Sequence, residues 1–103
     1  MIVYEVNLEV EPGCAEAFRA WLGGHVRDML GLPGFLSAEI LRVDSDSEDS
    51  AAWTVHYRMR DMEALEHYLA EHAPSLRAEG VTRFGRRFSA RRRVLHCETL
   101  QPG

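Results

Sequence analysis

Apolar and polar side chains alternate one by one at the start of the chain. Ile2, Tyr4, Val6, Leu8 and Val10 fall on one side of an extended backbone, and Val3, Glu5, Asn7 and Glu9 on the other. The alternation returns at 53–60, where Trp53, Val55, Tyr57 and Met59 oppose Thr54, His56, Arg58 and Arg60. A period of two with unlike faces is the mark of a half-buried strand. Stretches of helical period lie between the alternating ones, so the predicted order is strand, helix, strand, strand, helix, strand.

The first helix follows the turn Glu11-Pro12-Gly13 and carries Phe18, Trp21, Leu22, Val26, Met29 and Leu30 at three- and four-residue spacing. It is predicted to stop near Gly31, and Pro33-Gly34 turns the chain into a strand over 35–43. Residues 44–50 hold only acids and serines and read as a hairpin loop. They lack the central glycine and the distant glutamate of a calcium loop. Asp61 is a good N-cap for the second helix, whose inner face is Leu65, Tyr68, Leu69 and Ala73. Pro74 bends or restarts that helix, Gly80 is the expected C-terminal cap, and the last strand is placed at 88–97.

The two consecutive strands predict a hairpin whose paired positions sum to 95. Leu36, Ala38 and Ile40 then face Met59, Tyr57 and Val55 on the apolar side. Ser37, Glu39 and Leu41 face Arg58, His56 and Thr54 on the other, and a slip of one residue would bury Glu39. Two helices cover one side of a four-stranded sheet. The face left open carries Val3, Glu5, Asn7, Glu9, Ser37, Glu39, Leu41, Thr54, His56 and Arg58, with Val43 and Arg60 at its margins. As an interface between two copies, that face needs its charges paired or hydrogen-bonded.

Length predicts a single domain over 1–103, long enough to remove about two-thirds of its unfolded surface from water. With 46% hydrophobic residues but only short apolar runs, nothing is expected to span a membrane, and the absence of a signal-like N-terminus points to the cytoplasm. The net charge is −4, and all 12 basic residues are arginines. Six of them, Arg83, Arg86, Arg87, Arg91, Arg92 and Arg93, gather in or before the last strand, either to blunt an exposed edge or to hold an anionic group. Cys14 and Cys97 lack metal-ligand spacing and are expected to lie too far apart for a disulfide.

Trp21 with Gly24-His25 and Met29, then Gly34-Phe35, His72-Ala73-Pro74 with Leu76-Arg77, and Arg83-Phe84-Gly85 form a pattern spread over nearly the whole chain. In this the chain resembles a family of short bacterial proteins of unknown function, grouped with the dimeric α+β barrels that include the antibiotic-biosynthesis monooxygenases. The resemblance implies a ferredoxin-like βαββαβ monomer paired with a second copy sheet to sheet. It supplies no catalytic residue.

Two histidines stand out as candidates. His56 is expected beside Glu39, with Arg58 next along the face, a cluster suited to acid–base work, to a structural polar network or to plain exposure. His25 follows two helix-weakening glycines, Gly23 and Gly24, which suggest a kink or a close approach, and is expected to be partly buried and hydrogen-bonded. His67 and His72 lie five residues apart, not the four that would stack two ligands, so no metal is assigned, nor any cofactor.

The leading functional expectation is a homodimer that binds a small molecule or a protein. A cofactor-independent monooxygenase or isomerase acting on an aromatic or polyketide-like ligand is the alternative. Haem breakdown fits worse, because Asn7 is expected to face away from the cleft between helices and sheet. RNA binding is disfavoured by the acidic net charge and by aromatic residues that point toward the helices.

Overall fold

The structure, a computed structural model, describes residues 1–44 and 51–103. The expected acidic loop therefore falls, from residue 45 onward, outside the described residues. Four strands, β1 (Ile2–Val10), β2 (Phe35–Arg42), β3 (Ala51–Met59) and β4 (Phe88–His96), form one antiparallel sheet in the order β2-β3-β1-β4. The helices are α1 (Ala15–Leu30), α2 (Met62–Glu71) and α3 (Ala73–Phe84). This is the ferredoxin-like α+β fold, with the second helix of the pattern split in two at Pro74, which occupies the first turn of α3.

The alternation sorts the side chains as expected. Tyr4, Val6, Leu8, Val55 and Tyr57 join Phe18, Leu22, Val26, Met29, Leu65 and Tyr68 in one core beneath the helices. Glu5, His56 and Arg93 meet on the opposite face. No helix among the described residues is long and apolar enough to cross a membrane.

The expected hairpin register holds from Ser37↔Arg58 through Leu41↔Thr54. It breaks before Ser37, where a bulge pairs Phe35, and not Leu36, with Met59. Phe35 packs edge-on against Tyr57 and Tyr68, at 5.6 and 5.2 Å between ring centroids. Seating that ring inverts the local alternation and leaves Leu36 59% exposed. Gly34 makes the turn possible: its φ is 85°, and Arg60 N–H donates to its carbonyl at 2.9 Å.

Two expectations about helices are corrected. Gly80 does not end the second helical stretch, because α3 runs on to Phe84 and turns out at Gly85, whose φ is 57°. Gly80 instead lets α3 approach Trp21 and Phe88, whose ring atoms lie 3.1 and 3.3 Å from where its Cβ would stand. The pair Gly23-Gly24 causes no break in α1 and no close approach of backbone; a Cβ on Gly24 would meet only open space. Asp61 caps α2 as expected, its Oδ1 accepting the Ala64 N–H at 2.9 Å. Cys14 is buried, Cys97 exposed, and both are free thiols.

Candidate functional site

At the centre of the open face lies Glu5, on β1 between His56 of β3 and Arg93 of β4. Its carboxylate accepts from His56 Nε2 at 2.7 Å, from Asn7 Nδ2 at 2.9 Å and from Arg93 Nε. An ionised carboxylate can only accept, so Nε2 carries the His56 ring proton toward it. Thr54 Oγ1 completes the chain by donating to Asn7 Oδ1 at 2.7 Å. Although Glu5 is only 4% exposed, the Arg93, Asn7 and His56 hydrogen bonds outweigh burial and lower its pKa to about 2.

This corrects the expected partnership of His56 with Glu39. The two are directly across from each other, but Glu39 reaches Arg58 instead, at 3.4 Å, with both side chains substantially exposed. His56 has a carboxylate on each neighbouring strand and bonds the buried one. Of the other open-face residues, Val3 is buried between Arg58 and Leu95, Ser37 stands opposite Arg58, Leu41 opposite Thr54, and Glu9 is exposed. Asn7 faces away from the helices, as expected.

His25 lies on the other side of the sheet, so it cannot work with His56 within one chain. It lines a cavity of about 50 Å³ between the helices and the sheet. Tyr4, Val6, Val55 and Tyr57 form the floor, Phe18, Trp21 and Met29 of α1 one wall, and Leu76, Arg77 and Gly80 of α3 another, with Phe88 and Arg92 of β4 at the edge. Aromatic and aliphatic side chains share the lining, and Phe18 sits within 5.0 to 6.2 Å of Phe84, Phe88, Trp21 and Trp53. Tyr4 lies 6.0 Å from Tyr57 and 5.8 Å from Tyr68.

The His25 ring stacks on Trp21, four residues earlier, at 4.6 Å and 20°. Contrary to expectation, its Nδ1 is buried without a hydrogen-bond partner among the described residues. An orphaned buried nitrogen is uncommon and calls for a cause. Burial lowers the His25 pKa below 6.5, helped by Arg92 and opposed by Glu79 of α3 and Asp28 of α1. Burial likewise raises Tyr57 and Tyr68, the latter to about 12, so both phenols stay protonated. Arg77 Nη2 donates to Tyr4 Oη at 3.1 Å, tying α3 to the floor.

Arg77 and Arg92 were not anticipated at this site, though the sequence carries a trace of each. The β4 row Phe88, Ala90, Arg92, Val94 is apolar apart from Arg92, and Ala73, Arg77, Gly80 and Phe84 recur at helical spacing. A charged residue within an apolar row is the signal.

A family model described as a domain of unknown function, DUF4286, matches residues 1–97. No curated protein matches the sequence. Among solved structures, a Deinococcus radiodurans protein provisionally described as an antibiotic biosynthesis monooxygenase is similar over 99% of this chain and 97% of its own, with 11% identity and a TM-score of 0.73. A Bacillus cereus protein with the same provisional description gives 99% and 97% coverage, 12% identity and a TM-score of 0.70. SnoaB, a cofactor-independent oxygenase from Streptomyces nogalater, gives 99% and 98%, 17% identity and 0.60. At these identities the likeness is one of fold.

Proposed function

This chain belongs to the family of the domain of unknown function DUF4286, and from that premise we propose that it binds a small aromatic molecule in the cavity under its helices while two copies pair through the open sheet face. The observation that carries the reading is His25, whose Nδ1 has no hydrogen-bond partner among the described residues, in the lining of a cavity built mostly of aromatic and aliphatic side chains. An apolar pocket with few convergent polar groups is the usual form of a small-molecule site, and an orphaned ring nitrogen is satisfied by a ligand hydroxyl. At about 50 Å³ the pocket is smaller than an aromatic ring needs, so binding requires the side chains at its mouth to move apart.

Pairing through the sheet is supported by the open face itself. Its central carboxylate is already hydrogen-bonded, so covering Glu5 leaves that charge paired, while Leu41 and Val43 stay 41% and 45% exposed in the single chain. Static light scattering at micromolar concentration is expected to give twice the chain mass, and a monomer there contradicts this part of the reading. Two free thiols suit a reducing bacterial cytoplasm.

The cavity is tested by titrating tryptophan emission with 1-naphthol, a neutral planar probe. Trp21 lines the cavity and Trp53 does not, so saturable quenching is expected to vanish in Trp21→Phe. Quenching that survives in Trp21→Phe, or no quenching at all, overturns the cavity reading.

A second reading, a cofactor-independent monooxygenase or isomerase, is favoured by the position of His25 in the cavity lining, where burial holds its pKa below 6.5 and keeps the ring neutral. A neutral imidazole facing an apolar cavity is placed to take a proton from a phenolic or enolic ligand, the first step in such chemistry. Oxygen uptake with 1,4-dihydroxynaphthalene that depends on the protein and is lost in His25→Phe supports it.

A further inference from the structure

The cavity has a charge asymmetry that its apolar lining does not require. Arg77 comes to it from α3 and Arg92 from the helix-facing side of β4. Both residues are exposed overall while lining the cavity, which places them at its mouth. Among the described residues neither guanidinium has a carboxylate within ion-pair distance, although the chain as a whole is acidic. Arg91 and Arg93, the sequence neighbours of Arg92, point to the open face, where Arg93 is committed to Glu5.

Arg77 is held by its bond to the Tyr4 hydroxyl, which keeps its own proton free to donate. Both arginines line the one cavity, Arg77 from α3 and Arg92 from β4, with Tyr68 also in its lining. His25, whose Nδ1 has no hydrogen-bond partner among the described residues, lines the same cavity.

We infer that the ligand of this cavity is an aromatic anion, its ring against Phe18 and Tyr57 and its negative group between Arg77 and Arg92. The inference rests on the cavity reading given above and adds the charge of the ligand to it. A planar guanidinium matches a carboxylate bidentately, and a charge-assisted bond is stronger than a neutral one. Among the described residues, the carboxylates acting on the neighbouring His25 are Glu79 and Asp28, which also line the outer groove between α1 and α3.

The test compares two probes of one shape, 4-hydroxybenzoate and 4-hydroxybenzamide, by calorimetry and by amide and ring resonances of the full chain. The carboxylate is expected to bind at least about tenfold more tightly than the amide, with shifts at Trp21 and Tyr57. In Arg77→Gln/Arg92→Gln that preference is expected to fall to about twofold or less, with the affinity for the amide unchanged; Arg77→Lys/Arg92→Lys is expected to restore part of it. A thermal midpoint equal to wild type shows that the variant is folded.

Equal affinity for the two probes, with the same resonances shifted, overturns the anionic ligand and leaves the cavity reading standing. A preference for the carboxylate that persists in the Gln variant overturns the assignment to these arginines. If neither probe, nor 1-naphthol, perturbs Trp21 or Tyr57, the cavity reading itself fails.

Discussion

Glu5 Oε2 lies 2.7 Å from His56 Nε2, joining β1 to β3 at the middle of the uncovered face. A carboxylate this deeply buried is tolerable only because Arg93, Asn7 and His56 all bond it. Its pKa of about 2 lies below the ordinary 4.5, so the folded state prefers the ionised form. The stability this supplies is complete above pH 4.5 and is lost as pH falls toward 2.

Glu5→Gln is accordingly expected to cost about 2 kcal/mol at pH 7, after discounting for screening around exposed Arg93, and much less at pH 2.5. Urea denaturation at the two pH values checks this. Equal loss at both shows that packing, and not charge, is responsible.

His56 has a carboxylate across from it on each side, Glu5 on β1 and Glu39 on β2, and the hairpin pattern in the sequence discloses only Glu39. The β2–β3 register places Glu39 opposite His56, and that pairing exists. It does not disclose that β1 presents a second carboxylate to the same histidine from the other side, and only burial decides between the two. Alternation likewise predicts which face each strand residue takes, but not the bulge at Leu36, which arises because Phe35 has rings to pack against. Gly80 looks like a cap in sequence because close helix packing and helix termination both use glycine. The cavity was the least visible feature, since it is assembled from three helices and three strands, and its arginines are single exceptions in apolar rows.

At Gly34 backbone and packing constraints coincide. With φ at 85°, a side chain is strained, and a Cβ would fall well inside the contact distance of Ala64 Cβ at the start of α2. Gly34→Ala is expected to destabilise the fold by about 2 to 4 kcal/mol, measured by chemical denaturation. Gly24→Ala, at a site with nothing within 4 Å of the new Cβ, is expected to be neutral or stabilising.

For His25 the folded state favours the neutral ring, because burial and Arg92 outweigh Glu79 and Asp28. Its ring resonances are expected to titrate below 6.5. Stability is expected to decline as pH drops from 6.5 through that lower value, since the unfolded chain takes up the proton first. His25→Phe is expected to remove this part of the decline. A bound aromatic hydroxyl that donates to Nδ1 raises the cost of protonation, so the midpoint of the titration is expected to move further down when 1-naphthol is added.

The most direct measurement of where the protein works is a set of intermolecular nuclear Overhauser effects from bound 1-naphthol. Contacts to the ring protons of Phe18, Trp21 and Tyr57 are the expected result. Contacts to His56, Arg58 and Leu41, with none to those rings, would place the ligand on the opposite side of the sheet and contradict the account.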